Sequence, residues 1–96
     1  MRVISKRTLR EFWEKHADAE TSLSGWHSVA SRATWANLAD IRQAFNSADV
    51  IRDNVTVFNI GGNKYRLVVD FDYSYQKIYI WHVLTHAEYD KGDWKR

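Results

Sequence analysis

Lys64, Arg66, His86 and Tyr89 are the side chains best equipped for chemistry in this chain. A guanidinium such as that of Arg66 grips phosphate oxygens through paired hydrogen bonds and stays charged. Lys64, two residues earlier, would add a second point charge. The imidazole of His86, with an unperturbed pKa near ~6.5, can take or give a proton at neutral pH. Tyr89 follows three residues later, one turn on if the segment is helical, where its ring could stack on a base or its hydroxyl touch a phosphate. Each residue also has a plainer reading. Arg66 could be a solvated strand residue paired with Asp70, and Lys64 a solubilising hairpin end. His86 could be an early helix residue bonded to the backbone, and Tyr89 a ring folded onto the sheet edge. On alternation alone, the solvated strand residue is the better account of Arg66.

Three short strands must position these groups: VTVFNI (Val55–Ile60), KYRLVVDFDY (64–73) and QKIYIWHVLT (76–85). Side chains alternate along a strand, so Tyr65, Leu67, Val69, Phe71 and Tyr73 share one face, and Lys64, Arg66, Val68, Asp70 and Asp72 the other. With Ser74-Tyr75 as a two-residue loop, Phe71 pairs with Ile78, Val69 with Ile80 and Tyr65 with Leu84. Asp72 then lies opposite Lys77, an opposite-charge pair. Gly61-Gly62-Asn63 supplies a turn that tolerates positive φ, with the loop at 61–62 or 62–63. Thr56, Phe58 and Ile60 accordingly face the core. The opposite face is left open and carries Lys64 and Arg66. Parity puts Tyr79 and Trp81 on that face, where they could stack on bases or be covered by a partner, a loop or the tail. His82 has core parity and reads as structural. Lys91, Lys95 and Arg96 with Trp94 form a basic, aromatic tail: a set of phosphate contacts, or a solvated terminus.

Upstream, 2–4 suits an edge strand and Ser5 a helix N-cap, with Ile4 and Leu9 spaced as a hydrophobic staple. Leu9, Phe12, Trp13 and His16 follow at helical spacing to about Lys15. Asp18 or Thr21 could cap a second helix striped by Leu23, Trp26, Ala30 and Ala33. Asn37 starts a short third helix with Leu38, Ile41 and Phe45 inward, and residues 50–54 link it to the sheet. The expected order is β-α-α-(α)-β-β-β, an α+β fold with two or three N-terminal helices on one face of a small antiparallel sheet.

At 96 residues the chain is expected to form one domain, 1–96, burying only ~60–65% of its unfolded surface. A net charge of +2 permits a nucleic-acid partner without demanding one. With no cysteine, disulfides and thiolate metal sites are excluded. The His residues are scattered, so neither a metal site nor another cofactor is expected. No apolar run approaches the ~20 residues of a membrane span, and no signal-peptide pattern is evident, so the cytoplasm is the expected location.

The stretches VFNIGGNKYRLVV and THAEYDK, with HADAETSLSGW and FNSAD in the helical part, resemble the HigB-type toxins of bacterial type II toxin–antitoxin modules, within the RelE-like superfamily. The resemblance implies a RelE-like fold and a small endoribonuclease that cuts translated mRNA in the ribosomal A site, without metal or cofactor. It also implies a cognate HigA-like antitoxin with a helix-turn-helix domain. It tips Arg66, His86 and Tyr89 toward catalysis, leaving the acid and base unassigned, and Lys64, Lys91, Trp81, Tyr79 and Lys95 toward RNA contact. The family pattern often has a basic residue where this chain has Trp81. The alternative is a non-catalytic RNA- or protein-binding module on the same fold. Convergence of Arg66, His86 and Tyr89 on one pocket would separate the two.

Overall fold

The structure is a computed structural model and describes residues 1–95; Arg96, expected in the basic tail, lies outside the described residues. Strand β1 (Arg2–Ile4) leads into helix α1 (Lys6–Lys15), a single 3-10 turn (Ala17–Ala19), α2 (Glu20–Arg32) and α3 (Leu38–Ala44). Then come β2 (Asp49–Arg52), β3 (Val55–Ile60), β4 (Tyr65–Asp72), β5 (Lys77–Thr85) and α4 (His86–Lys91), with a last 3-10 turn (Asp93–Lys95). The sheet order is β1-β5-β4-β3-β2.

This is the expected α+β layering with two differences. The segment read as a link contains β2, which pairs with β3. The sheet is mixed rather than antiparallel, because β1 runs parallel to β5. The helix stripes form as their spacing predicts: Leu9, Leu23, Trp26, Ala30 and Ile41 are all buried, with Phe12, Trp13, Leu38 and Phe45 packed against them. Asn37 caps α3 by accepting from the Asp40 N–H at 3.1 Å. Neither Asp18 nor Thr21 caps α2. Ala19 holds that position, and the Asp18 carboxylate is drawn instead to Tyr65 and Lys64.

Phe58 on β3 is the centre of the core, its ring 5.5 Å from those of both Trp26 and Phe45. Leu67, Val69, Phe71 and Ile78 complete this layer, as alternation requires. Burial of such a side chain stabilises the fold by about 1.5–3 kcal/mol. Gly61 and Gly62 turn the chain with φ of 62° and 71°, and Ile60 faces Tyr65 across the turn.

The β4–β5 register follows the expected pairs Asp72–Lys77, Phe71–Ile78 and Val69–Ile80, then slips by one residue. Val68 faces His82, so Trp81 is the extra residue of a β-bulge. Beyond it the parity inverts. Tyr65 lies opposite Thr85 rather than Leu84, and Leu84 lies opposite Arg66. His82 therefore leaves the core face assigned to it and turns to the opposite side, edge-on to Trp94.

That opposite side is not open. Val55, Val57 and Val68 form a second buried cluster there, covered by Leu84, Tyr89 and Trp94 with Ile51 at its edge. The chain after β5 folds back over the sheet to supply this cover.

Candidate functional site

Arg66 stands in the middle of the covered face, between Asn59 on β3 and Leu84 on β5. It is only 8% exposed, so its charge must be satisfied locally. Its guanidinium donates to the Asn63 side chain at 2.8 Å and to the carbonyls of Asn63 and Tyr65 at 3.2 Å each. Asp70 is not its partner. These bonds hold the fork against the β3–β4 turn, and the Tyr89 ring lies 5.6 Å from its central carbon.

Helix α4 brings the second set of groups. Thr85 accepts from the Glu88 N–H while Glu88 accepts from the Thr85 N–H, a reciprocal capping box that fixes the start of the helix. Gly92, at φ 80°, ends it. The His86 N–H donates to the Lys64 carbonyl at 2.8 Å and ties the helix to the same turn that holds Arg66. The His86 Nδ1 is 3.0 Å from an Asp90 carboxylate oxygen, one helical turn on. Asp90 escaped the sequence reading, although its i,i+4 spacing from His86 is the signal that finds it. Such a pair orients an imidazole and leaves Nε2 outward. Tyr89 stacks on Trp94 at 5.1 Å, and the Trp94 indole N–H closes the loop onto the Tyr89 carbonyl at 2.9 Å.

Arg66 and Tyr89 are thus in contact, and His86 is carried one turn away on the helix that holds Tyr89. The remaining expected residues are dispersed. Lys64 belongs to the turn rather than to β4, so strand parity does not govern it: its ammonium pairs with Asp18 at 2.9 Å, on the helix layer. The bonds from Tyr65 and Lys64 hold the Asp18 carboxyl below its ordinary pKa, and the Tyr65 hydroxyl is raised in turn. Lys91 lies 3.6 Å from Asp93. Lys95 sits 5.6 Å over the Trp94 ring. Trp81 is 40% exposed with the Arg52 guanidinium 5.9 Å above its ring. Tyr79 lines a separate acidic hollow with Asp53, Asp70 and Asp72. Among the described residues, no three His, Asp or Glu side chains gather closely enough to hold a metal ion.

A small helical layer on one sheet face, and a cation beside a short helix on the other, are consistent with a RelE-like fold. Sequence comparison agrees. A family described as the RelE-like toxic component of a toxin–antitoxin system, the HigB toxins, matches residues 19–92. The chain belongs to this family, and an antitoxin is therefore its partner. It is 32% identical over 92 residues to an mRNA interferase toxin HigB of Escherichia coli, covering 94% of this chain and 88% of that protein. The same figures hold for an mRNA interferase HigB of Shigella flexneri. A further HigB from another Escherichia coli strain is 27% identical over 93 residues, covering 95% of this chain and 90% of the relative. Among the described residues, no helix is long and apolar enough to cross a membrane.

Proposed function

We propose that this chain is an mRNA endoribonuclease of the cytoplasm, acting on translated messages in the ribosomal A site and silenced by a HigA-like helix-turn-helix antitoxin. Family membership and the names of its relatives support the activity. The observation that carries the site is the contact between the Arg66 guanidinium and Tyr89 beside the capped start of α4.

The chemistry needs no metal. The 2′-hydroxyl of one nucleotide loses its proton and attacks the adjacent phosphorus. The bond to the 5′-oxygen breaks, and that oxygen takes up a proton, leaving a cyclic phosphate and a free 5′-hydroxyl. Arg66 neutralises the charge that builds on the phosphorane oxygens, a term worth about 3–4 kcal/mol in comparable sites. His86, oriented by Asp90, moves one of the two protons. Tyr89 places its ring or hydroxyl against the nucleotide. Lys91, Lys95 and Trp81, which line hollows beside Trp94, hold the RNA next to that nucleotide, whereas Lys64, paired with Asp18, and Tyr79, in the acidic hollow, lie apart from this site. The ribosome supplies the remaining orientation of the codon.

The test is mapping of 5′ ends on a defined message, in a translation system and as free RNA. Ends that appear only in the translated sample are expected. Ends in free RNA would remove the ribosome from the mechanism. None in either sample, with folded and antitoxin-free protein, would overturn the nuclease in favour of a binding module.

A further inference from the structure

The bulge at Trp81 has a chemical result. It places Trp81 and His82 side by side on the covered face, where they form the wall of a cavity of about 250 Å³. Trp94, Ile51 and Val55 complete its apolar lining, and Arg52 and Lys95 add two cations. Pockets for drug-sized ligands run from ~300 to 1,000 Å³, so this one has room for a single planar group. Its lining includes two indoles, and that of Trp81, 40% exposed, can bind a flat aromatic ring by stacking. His82 adds a hydrogen-bonding edge. None of the lining residues is acidic. Among the described residues neither cation is paired with a carboxylate; Arg52 lies over Trp81 and Lys95 over Trp94. A flat ring joined to a negatively charged group matches these features, as a base joined to its phosphate does in a nucleotide.

We propose that this cavity is a nucleobase subsite. It takes one unstacked base of the RNA on the ring of Trp81, with the edge of Trp94 beside it and Arg52 and Lys95 on the flanking phosphates, and thereby sets which sequences are cut. That it serves the RNA substrate rests on the nuclease reading above. Its position supports the link: Trp94 stacks on Tyr89, and Tyr89 lies on Arg66, so a continuous run of rings leads from the cavity to the phosphate-binding cation. The bound base therefore belongs to a nucleotide close to the cleaved bond. Arg52, His82 and Trp94 join the RNA-contacting residues on this account.

Two measurements test it. In the first, the isolated protein is titrated with the four ribonucleoside monophosphates while the Trp side-chain N–H signals are followed by NMR. Saturable shifts of the Trp81 and Trp94 signals are expected. Trp81→Ala should weaken binding about tenfold, the size of one lost base–aromatic stack, and Arg52→Gln should weaken it as well. Trp81→Phe should restore most of it. Shifts absent from these two indoles, or affinities unchanged in both Trp81→Ala and Arg52→Gln, would overturn the subsite. Arg52→Gln is on an edge strand, so it keeps the test alive if Trp81→Ala fails to fold. In the second, ends produced by Trp81→Ala during translation are compared with those of the parent. A redistribution among sequences supports the subsite, and an unchanged distribution overturns it. Absence of cleavage by the parent protein would strike the nuclease reading alone, since the titration would still decide whether the cavity binds a base.

Discussion

The two faces of the sheet are built to different standards. On the helix side, the core runs without interruption from Leu9 through Trp26 and Phe58 to Ile78, most of it inaccessible to water. On the other side, three valines lie under a six-residue helix and a single 3-10 turn, and Tyr89 and Trp94 are only partly buried. Helix α4 is too short to be stable alone. It persists through its capping box, one hydrogen bond to the β3–β4 turn, and the stacked pair of rings. The first face holds the fold. The second holds a buried arginine and an aromatic cavity under a thin cover, so the groups proposed for chemistry sit where local opening costs least.

This contrast can be broken most severely at the core. Phe58→Ala should cost about 3–5 kcal/mol, read from urea unfolding, because a ring contacting Trp26, Phe45 and Phe71 leaves a cavity. A cost below about 1 kcal/mol would mean the two faces are not so unequal. Next in size is His86→Ala on the opposite face. It should slow cleavage by about 10²–10⁴ and relieve growth arrest, while stability changes by less than about 0.5 kcal/mol. Full toxicity at equal expression would remove His86 from the mechanism. Trp94→Ala should fall between a surface change and a core change, at about 1–2 kcal/mol, since only part of its ring is buried. A loss equal to that of Phe58→Ala would show that the cover is as firm as the core.

Smaller effects sharpen the picture. The Asp18 carboxyl has its pKa lowered by the Tyr65 hydroxyl and then by Lys64. A carboxyl depressed on folding contributes stability above its unfolded pKa and loses it as pH falls through the folded value. Melting temperature should thus drop in the parent as pH falls below the ordinary 3.8 of this group. The drop should be shallower in Asp18→Asn, and parallel curves would exclude the linkage. Smallest of all is Asp72→Ala. Asp72 and Lys77 are opposite each other in register, but the Asp72 carboxylate accepts from the Tyr75 N–H at 3.1 Å and Lys77 lies over the Tyr75 ring, so only that one turn bond, about 0.5–1.5 kcal/mol by urea unfolding, is at stake.

Period-2 alternation was enough to read the helix side from sequence, because every residue from Tyr65 to Phe71 on one parity lands in the core. It failed at one point for a definite reason. An inserted strand residue changes no local propensity, but it moves everything beyond it to the other face. The bulge at Trp81 therefore sent His82 and Leu84 where parity did not place them. Lys64 failed differently, since alternation ends where the turn begins. Strand β2 was hidden by its length: four residues, charged at both ends, joined to β3 by Asp53, which adopts φ 46°. Arg66, His86 and Tyr89 were legible as chemical types, and the resemblance to a family raised them above solvated surface. What sequence could not decide was that the tail, rather than a loop or a partner, covers part of this face. That depends on tertiary contacts of Trp94 and Tyr89, which leave no periodic trace.

Strand β2 bears on a different matter, the behaviour of the protein at high concentration. It closes one side of the sheet with only four residues, it slips register between Val50 and Arg52, and the side chain of Asp49 is engaged by Arg42. The other side is closed by three residues of β1. Short, irregular, charged borders give a neighbouring molecule little backbone to extend by strand pairing. The sheet is therefore guarded against strand addition where these borders pair, at 55–57 and 77–79, and beyond β1 the bulge at Trp81 kinks the margin of β5.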